Sequence, residues 1–210
     1  MQVVSTDIFI PPIVPDRTKS VHLKFEFDDN KSLNSDEFWD FCAQNDKLQI
    51  ELVAKDEIKI TFPRGFRYSQ KSIEILMQLS KWQETYRTGE FFNHLVGYLL
   101  PNGLIFSPSF SWIEKERFDN LSDVQKEKLL HLCPDFVLEL ILSDEDLSET
   151  KYKIIEYLKN GAKLGWLIHA KTKQVFIYRT NQEVEILENP SKVSGEPLLT
   201  GFELDLTEIW

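Results

Sequence analysis

The sequence predicts an α/β domain built around a mixed β-sheet. The first observation is the order of its patterned stretches: strands, a long helix, strands, a second helix, then strands again. The second is Asp135–Leu142, a run of strand formers that follows Pro134 and precedes an amphipathic helix. The third is Asn102-Gly103 between two apolar runs, a strong signal for a tight antiparallel turn. At 210 residues, 42% hydrophobic and 28% charged, the chain suits one domain with a sizeable core.

Residues 1–20 hold three prolines close together and little periodicity, and read as an extended surface arm ahead of a domain over 21–210. Val21–Phe27 alternates apolar with polar residues, which is strand spacing. Asp28–Asn34 is a turn cluster, and Ser35 is the expected N-cap of a helix whose first turn carries Asp36 and Glu37. Leu48–Leu52 and Ile58–Phe62 form a hairpin around Lys55-Asp56, broken by Pro63-Arg64-Gly65. Ser69–Arg87 is a helix with Ile75, Leu79, Trp82 and Tyr86 on one face, ended by Thr88-Gly89. Phe91–Leu99 and Leu104–Ile113 are strands joined at Pro101-Asn102-Gly103. Glu114–Leu130 gives two short helices split near Ser122. The second long helix begins within Ser143–Ser148, with acids suited to its positive end, and closes at Asn160-Gly161. Leu164–His169, Gln174–Arg179 and Glu183–Leu187 are strands, and loops with a short strand lead to Leu204–Trp210.

Composition narrows the function classes. There is no long apolar run for a membrane span, and residues 1–20 lack a basic start followed by an apolar block, so a cytoplasmic protein is expected. Cys42 and Cys133 match no zinc spacing and read as buried free thiols. The four histidines, His22, His94, His131 and His169, show no metal-pair spacing and read as structural. No glycine-rich phosphate loop and no nucleophile elbow is present. A net charge of −10 argues against strong non-specific binding to nucleic acid. It leaves open an enzyme that meets a phosphate through a metal and a local basic patch.

The residues that carry chemistry lie around the central strand. Glu139 interrupts a run of strand formers, and an ionised carboxylate is seldom buried without a cation or a function to compensate it. Lys153 follows on the amphipathic helix. A strand carboxylate and a lysine near one sheet edge suit metal-dependent phosphodiester hydrolysis. Spacing alone also allows plainer readings. Glu139 is then a strand-end acid, and Lys153 pairs with Glu149 four residues earlier on the helix surface. Glu51 reads equally as a solvated hairpin residue. Asp135 reads as a strand-start acid bonded to a neighbouring loop, and Arg64, Arg67 and Lys71 as a solvated basic surface.

PDFVLEL at 134–140, the Lys and Tyr around KIIEY, and NGAKLGWLI at 160–168 together resemble the Uma2 family (DUF820) of endonucleases. That family belongs to the PD-(D/E)XK group. The resemblance extends upstream through DEFWDFCAQN, LQIEL and LPNGLIFSPSFSWI and downstream through VFIYR, SGEPLL and GFELDL, about residues 35–210. It implies a restriction endonuclease-like fold: a central mixed sheet flanked by helices, here with an N-terminal β/α extension. It implies hydrolysis of DNA phosphodiester bonds with Mg²⁺ or Mn²⁺, and a homodimer for which Trp210 would offer interface material. Glu139 matches the family's metal-binding strand glutamate, with the Leu140 carbonyl beside it as a second ligand. Lys153 matches its relocated helix lysine, which replaces the one usually found at the place of Ile141, and Glu51 matches an upstream acid. Arg64, Arg67 and Lys71 become candidates to face a phosphate backbone.

One departure matters most. The family's Ser-Pro-Asp, whose Asp binds metal, is here Ser107-Pro108-Ser109, leaving Ser109 as the candidate ligand. A hard dication prefers anionic oxygens, so a weakened or lost activity is expected. The alternative is a catalytically inactive protein that keeps the fold as a binding or dimerisation partner.

Overall fold

The computed structural model describes residues 20–24, 34–46 and 48–210. The expected arm up to residue 19, the end of the first strand and most of the following turn cluster lie outside them. The first part of the chain is β1 (Val21–Lys24), α1 (Ser35–Gln44), β2 (Gln49–Ala54), β3 (Glu57–Thr61) and α2 (Phe66–Tyr86). Next come β4 (Gly89–Asn93), β5 (Tyr98–Leu99), β6 (Ile105–Phe106), β7 (Phe110–Glu114), α3 (Lys115–Asp119) and α4 (Asp123–Lys126). The last part is β8 (Phe136–Ile141), α5 (Leu147–Lys159), β9 (Leu164–His169), β10 (Gln174–Arg179), β11 (Glu185–Glu188), β12 (Lys192–Ser194) and β13 (Glu203–Asp205).

The main sheet has the order β11-β10-β9-β8-β7-β4. Only β8 and β9 run parallel in it, joined by the crossover helix α5, so the expected mixed sheet is present. Every residue of β8 and β9 is buried, as a parallel pair covered on both faces requires. Phe136, Leu138 and Leu140 enter a core with Ile75, Leu79 and Trp82 of α2. Val137 and Ile141 point the other way, toward Tyr157 and Ile154 of α5. A second sheet, β1-β3-β2-β6-β5, packs its Ile50 and Leu52 against Phe38 of α1; β1, β2, β3 and α1 form the N-terminal extension, to which β6 and β5 add. β12 and β13 pair as a small third sheet and seal the main core with Val193 and Leu204.

Several expected boundaries moved. Asn34, not Ser35, caps α1: its side chain accepts the Glu37 amide at 2.9 Å while the Glu37 carboxylate receives the Asn34 amide. α2 starts at Phe66 rather than Ser69, because the extended backbone of Gly65 lets its carbonyl take the Tyr68 and Ser69 amides. Arg87, in the left-handed region at φ 51°, ends that helix. The two long strands expected around Asn102-Gly103 are four short ones. β5 and β6 pair across that turn in the second sheet, while β4 and β7 pair in the main one. The chain changes sheet near Gly97, where an added Cβ would lie 2.6 Å from the Leu129 side chain, and again at Ser107-Pro108. Trp210, partly buried, packs on the main core and donates its ring N–H to the Pro190 carbonyl at 2.9 Å. Among the described residues, no helix is long and apolar enough to cross a membrane.

Candidate functional site

Strand alternation places Glu139 between Val137 and Ile141 on the α5 face of β8. On α5, Thr150, Ile154 and Tyr157 are buried at helical spacing, and Lys153 shares that side. Glu51 sits between Ile50 and Leu52, whose side chains face α1, so it points to the opposite side of β2 along with Val53, toward Phe106 and Tyr157. Three elements thus converge on one point. The Lys153 ammonium lies 2.6 Å from Glu51 Oε1 and 2.7 Å from Glu139 Oε1, and it donates to the Ser107 carbonyl at 2.8 Å. Lys153 is therefore not the surface partner of Glu149, which pairs instead with Lys59 at 2.5 Å.

Glu51 and Glu139 are only 3% and 4% exposed, so two carboxylates share one ammonium out of water. Burial alone would lower the Lys153 pKa. The charges of Glu139 and Glu51 outweigh burial and hold the group above its ordinary value, firmly protonated. The Ser107 amide donates to Glu51 Oε1 at 2.7 Å. On Glu139, Oε2 receives the Ser109 amide at 3.2 Å and the Ser109 hydroxyl at 2.9 Å. Oε1 meets the ammonium off the hydrogen-bond direction and keeps no directed donor.

Ser109, the expected metal ligand, lies against Glu139. Its hydroxyl donates to Glu139 and accepts from the Leu140 amide at 3.2 Å and from the Tyr68 hydroxyl at 3.1 Å. One proton and two lone pairs are all that a hydroxyl has, and these three bonds use them. The Leu140 carbonyl accepts from Arg64 Nη1 at 3.1 Å, and the guanidinium lies 4.3 Å above the Tyr68 ring. Of the expected basic group only Arg64 borders the site. Arg67 is exposed, and Lys71 donates to the Ile209 carbonyl near the C-terminus. Burial, then the charges of Arg67 and Lys173, lower the Lys71 pKa. Asp135 lies outside the site, fully buried: it accepts the Glu114 amide at 3.0 Å and pairs with Arg117 and Lys163. That is the strand-start role expected of it.

A cavity of about 20 Å³ opens among Glu51, Glu139, Lys153, Ser109, Arg64 and His94, room for one water-sized species. His94 was expected to be structural, and no spacing in the sequence ties it to Glu139. Burial, and then Arg64, lower its pKa, while Glu139 opposes them. Among the described residues no group of three or more His, Cys, Asp or Glu side chains could hold a metal ion. The donor set does fit one hard cation: two carboxylates against a single ammonium leave net negative charge, and buried Glu139 Oε1 lacks a directed donor. Glu139 and Glu51 would hold it, and Ser109 would not.

Comparison with known proteins bears on the family and the fold. The family model Uma2, described as "Putative restriction endonuclease", matches residues 35–207. Among solved structures, the chain is similar to a crystal structure described as a putative nuclease belonging to DUF820 from Anabaena variabilis. The TM-score is 0.65 at 20% identity, over 76% of this chain and 88% of that one, a likeness that shows the fold. No curated protein matches.

Proposed function

The chain belongs to the Uma2 family, and from that premise we propose that it hydrolyses DNA phosphodiester bonds at Glu51, Glu139 and Lys153, with Mg²⁺ or Mn²⁺ as cofactor. The observation that carries this reading is the Lys153 ammonium lying within 2.7 Å of both buried carboxylates. A bound dication supplies Lewis acidity at the phosphoryl group and lowers the pKa of water for attack. Glu139 and Glu51 would hold that cation. The Ser109 amide and hydroxyl fix Glu139 Oε2, while Oε1 faces the Lys153 ammonium at 2.7 Å. Lys153, held protonated, sets the two carboxylates and places a fixed positive charge where negative charge builds on the phosphoryl oxygens. It is a poor proton acceptor in that state. Arg64 has one N–H on the Leu140 carbonyl and others free for a phosphate oxygen. With a committed neutral hydroxyl at 109, the site binds metal weakly and turns over slowly. A cytoplasmic homodimer completes the proposal, its assembly to be read by sedimentation.

The test is plasmid nicking with Mg²⁺ or Mn²⁺ by wild type, Ser109→Asp and Glu139→Ala. Cleavage by wild type that Glu139→Ala abolishes supports the reading. Cleavage only by Ser109→Asp identifies a nuclease scaffold disarmed at one ligand. A second reading, a non-catalytic binding or dimerisation partner, draws on Lys153 closing the carboxylate pair from within. Silence from both wild type and Ser109→Asp, with no heat of metal binding, selects it.

A further inference from the structure

A second, much larger space adjoins the charged cavity. It measures about 710 Å³, within the range of small-molecule pockets, and lies between α1, the start of α2 and the loop after β4. Trp39, Phe62, Tyr68, Ile73, Leu95 and Phe110 give it a largely apolar and aromatic wall. Leu95 is 79% exposed and Ile73 52%, which is unusual for large apolar side chains at one mouth. The two spaces are neighbours: Arg64, Tyr68, His94, Gln49 and Thr61 line both. A polar corner bordered by Arg64 therefore adjoins an aromatic slot.

That juxtaposition matches the two halves of a nucleotide. Arg64 stands at the junction with guanidinium N–H groups to spare, stacked on Tyr68, and suits a phosphate. The slot beyond suits the base that the phosphate carries. A base within an intact duplex is stacked and paired and does not reach such a slot. An unpaired base does, and stacking on aromatic walls binds it with little regard to sequence. The charge balance points the same way. At net −10 the protein has little to gain from the counterion release that drives duplex binding, so stacking must supply more of the affinity.

We propose that this cleft is a nucleobase site, and that the substrate class is single-stranded or locally unpaired nucleic acid. The proposal rests on the phosphodiester reading of the adjoining carboxylate site. The experiment separates the two by measuring binding without turnover. Fluorescein-labelled oligothymidylate and a matched duplex are titrated with full-length protein in EDTA, and anisotropy is followed. The single strand is expected to bind at least tenfold tighter. Trp39→Ala should weaken it about fivefold or more, the scale of one lost stacking contact. Leu95→Asp should weaken it as well, at an exposed position where loss of the fold is not at issue. Equal binding of strand and duplex, or single-strand binding untouched by both substitutions, overturns the proposal. So does a concentration-dependent dimer that Leu95→Asp dissociates, since the cleft is then covered by a second copy. Single-strand preference with no nicking leaves the nucleobase site standing and removes the hydrolytic reading. Nicking of duplex without that preference does the reverse.

Discussion

Replacing Lys153 by Met tests the centre of the site without touching metal or substrate. Methionine keeps an unbranched apolar stem and removes the charge, which leaves Glu51 and Glu139 buried with no cation between them. Breaking a buried pair in this way costs about 3–5 kcal/mol. A separate limit comes from proton uptake, because one of the two acids can neutralise itself instead. For an ordinary glutamate value of about 4.3, holding a proton at pH 7 costs about 3.7 kcal/mol. The expected loss is therefore about 3–4 kcal/mol at pH 7, or a fall in Tm of roughly 10 °C for a chain of this size. The sign with pH follows. In the variant the folded state binds an extra proton, so its deficit shrinks as pH falls, to about 1 kcal/mol near pH 5. Glu51→Gln and Glu139→Gln should each cost less, since the ammonium keeps its other carboxylate. Urea unfolding in EDTA at both pH values measures all three. A Lys153→Met loss below about 1 kcal/mol at pH 7, or one equal at both pH values, would refute the argument that charge holds this cluster together. Added Mg²⁺ offers an independent check: it should restore about 2.7 kcal/mol to the variant at a hundred times its Kd.

Three further outcomes follow from the same coordinates. The wild-type Lys153 pKa is raised despite burial, so its stabilisation is complete below the unfolded value of about 10.4 and is lost as pH climbs through the higher folded value; thermal scans should show a drop above roughly pH 10.4 that Lys153→Met lacks. Gly165 lies on β9 where an added Cβ would sit 2.6 Å from Ile154 Cγ2, so Gly165→Ala should wedge α5 off the sheet and cost about 1–3 kcal/mol in urea unfolding. Burial pushes the thiols of Cys42 and Cys133 up to about 12, so a disulfide reagent near neutral pH should react slowly with native protein and fully after denaturation.

The sequence was most readable where burial is complete and the ends are marked. Leu164–His169 and Gln174–Arg179 match β9 and β10 residue for residue, on either side of the turn at Lys171-Thr172. Ser122 splits two short helices as its spacing suggested, through a capping box with Gln125. The apolar runs 91–99 and 104–113 were not readable, because apolarity says that a residue is buried but not in which sheet. The site shows the same divide. Glu139 was visible as a carboxylate inside an apolar strand. Lys153 was not, since Glu149 one helical turn earlier offered an adequate local partner; only the family pattern, then Lys59 claiming Glu149, freed it. Glu51 alternates with core residues and so looks solvated. It is buried because α5 and Phe106 cover the other face of β2, a tertiary fact with no local trace.

Ser109 is where fold and chemistry meet. A carboxylate at that position would face Glu139 directly, and three acids would then surround one ammonium. A cation becomes the natural remedy for that excess charge. With serine the excess is a single charge, and the hydroxyl turns from a ligand into a clamp: it ties Glu139 to the Leu140 amide and the Tyr68 hydroxyl. Each of those bonds contributes on the order of 1 kcal/mol to the folded state without any metal. Serine at 109 therefore steadies the carboxylate pair through bonds that need no metal. The tie through Tyr68 also couples that clamp to Arg64, which stacks on the same ring at the mouth of the aromatic cleft. A phosphate drawing Arg64 off the Leu140 carbonyl would act on Tyr68 and, through it, on Ser109 and Glu139. The carboxylate pair and the mouth of the cleft are thus tied through Ser109, Tyr68 and Arg64 by three hydrogen bonds and one cation–π contact.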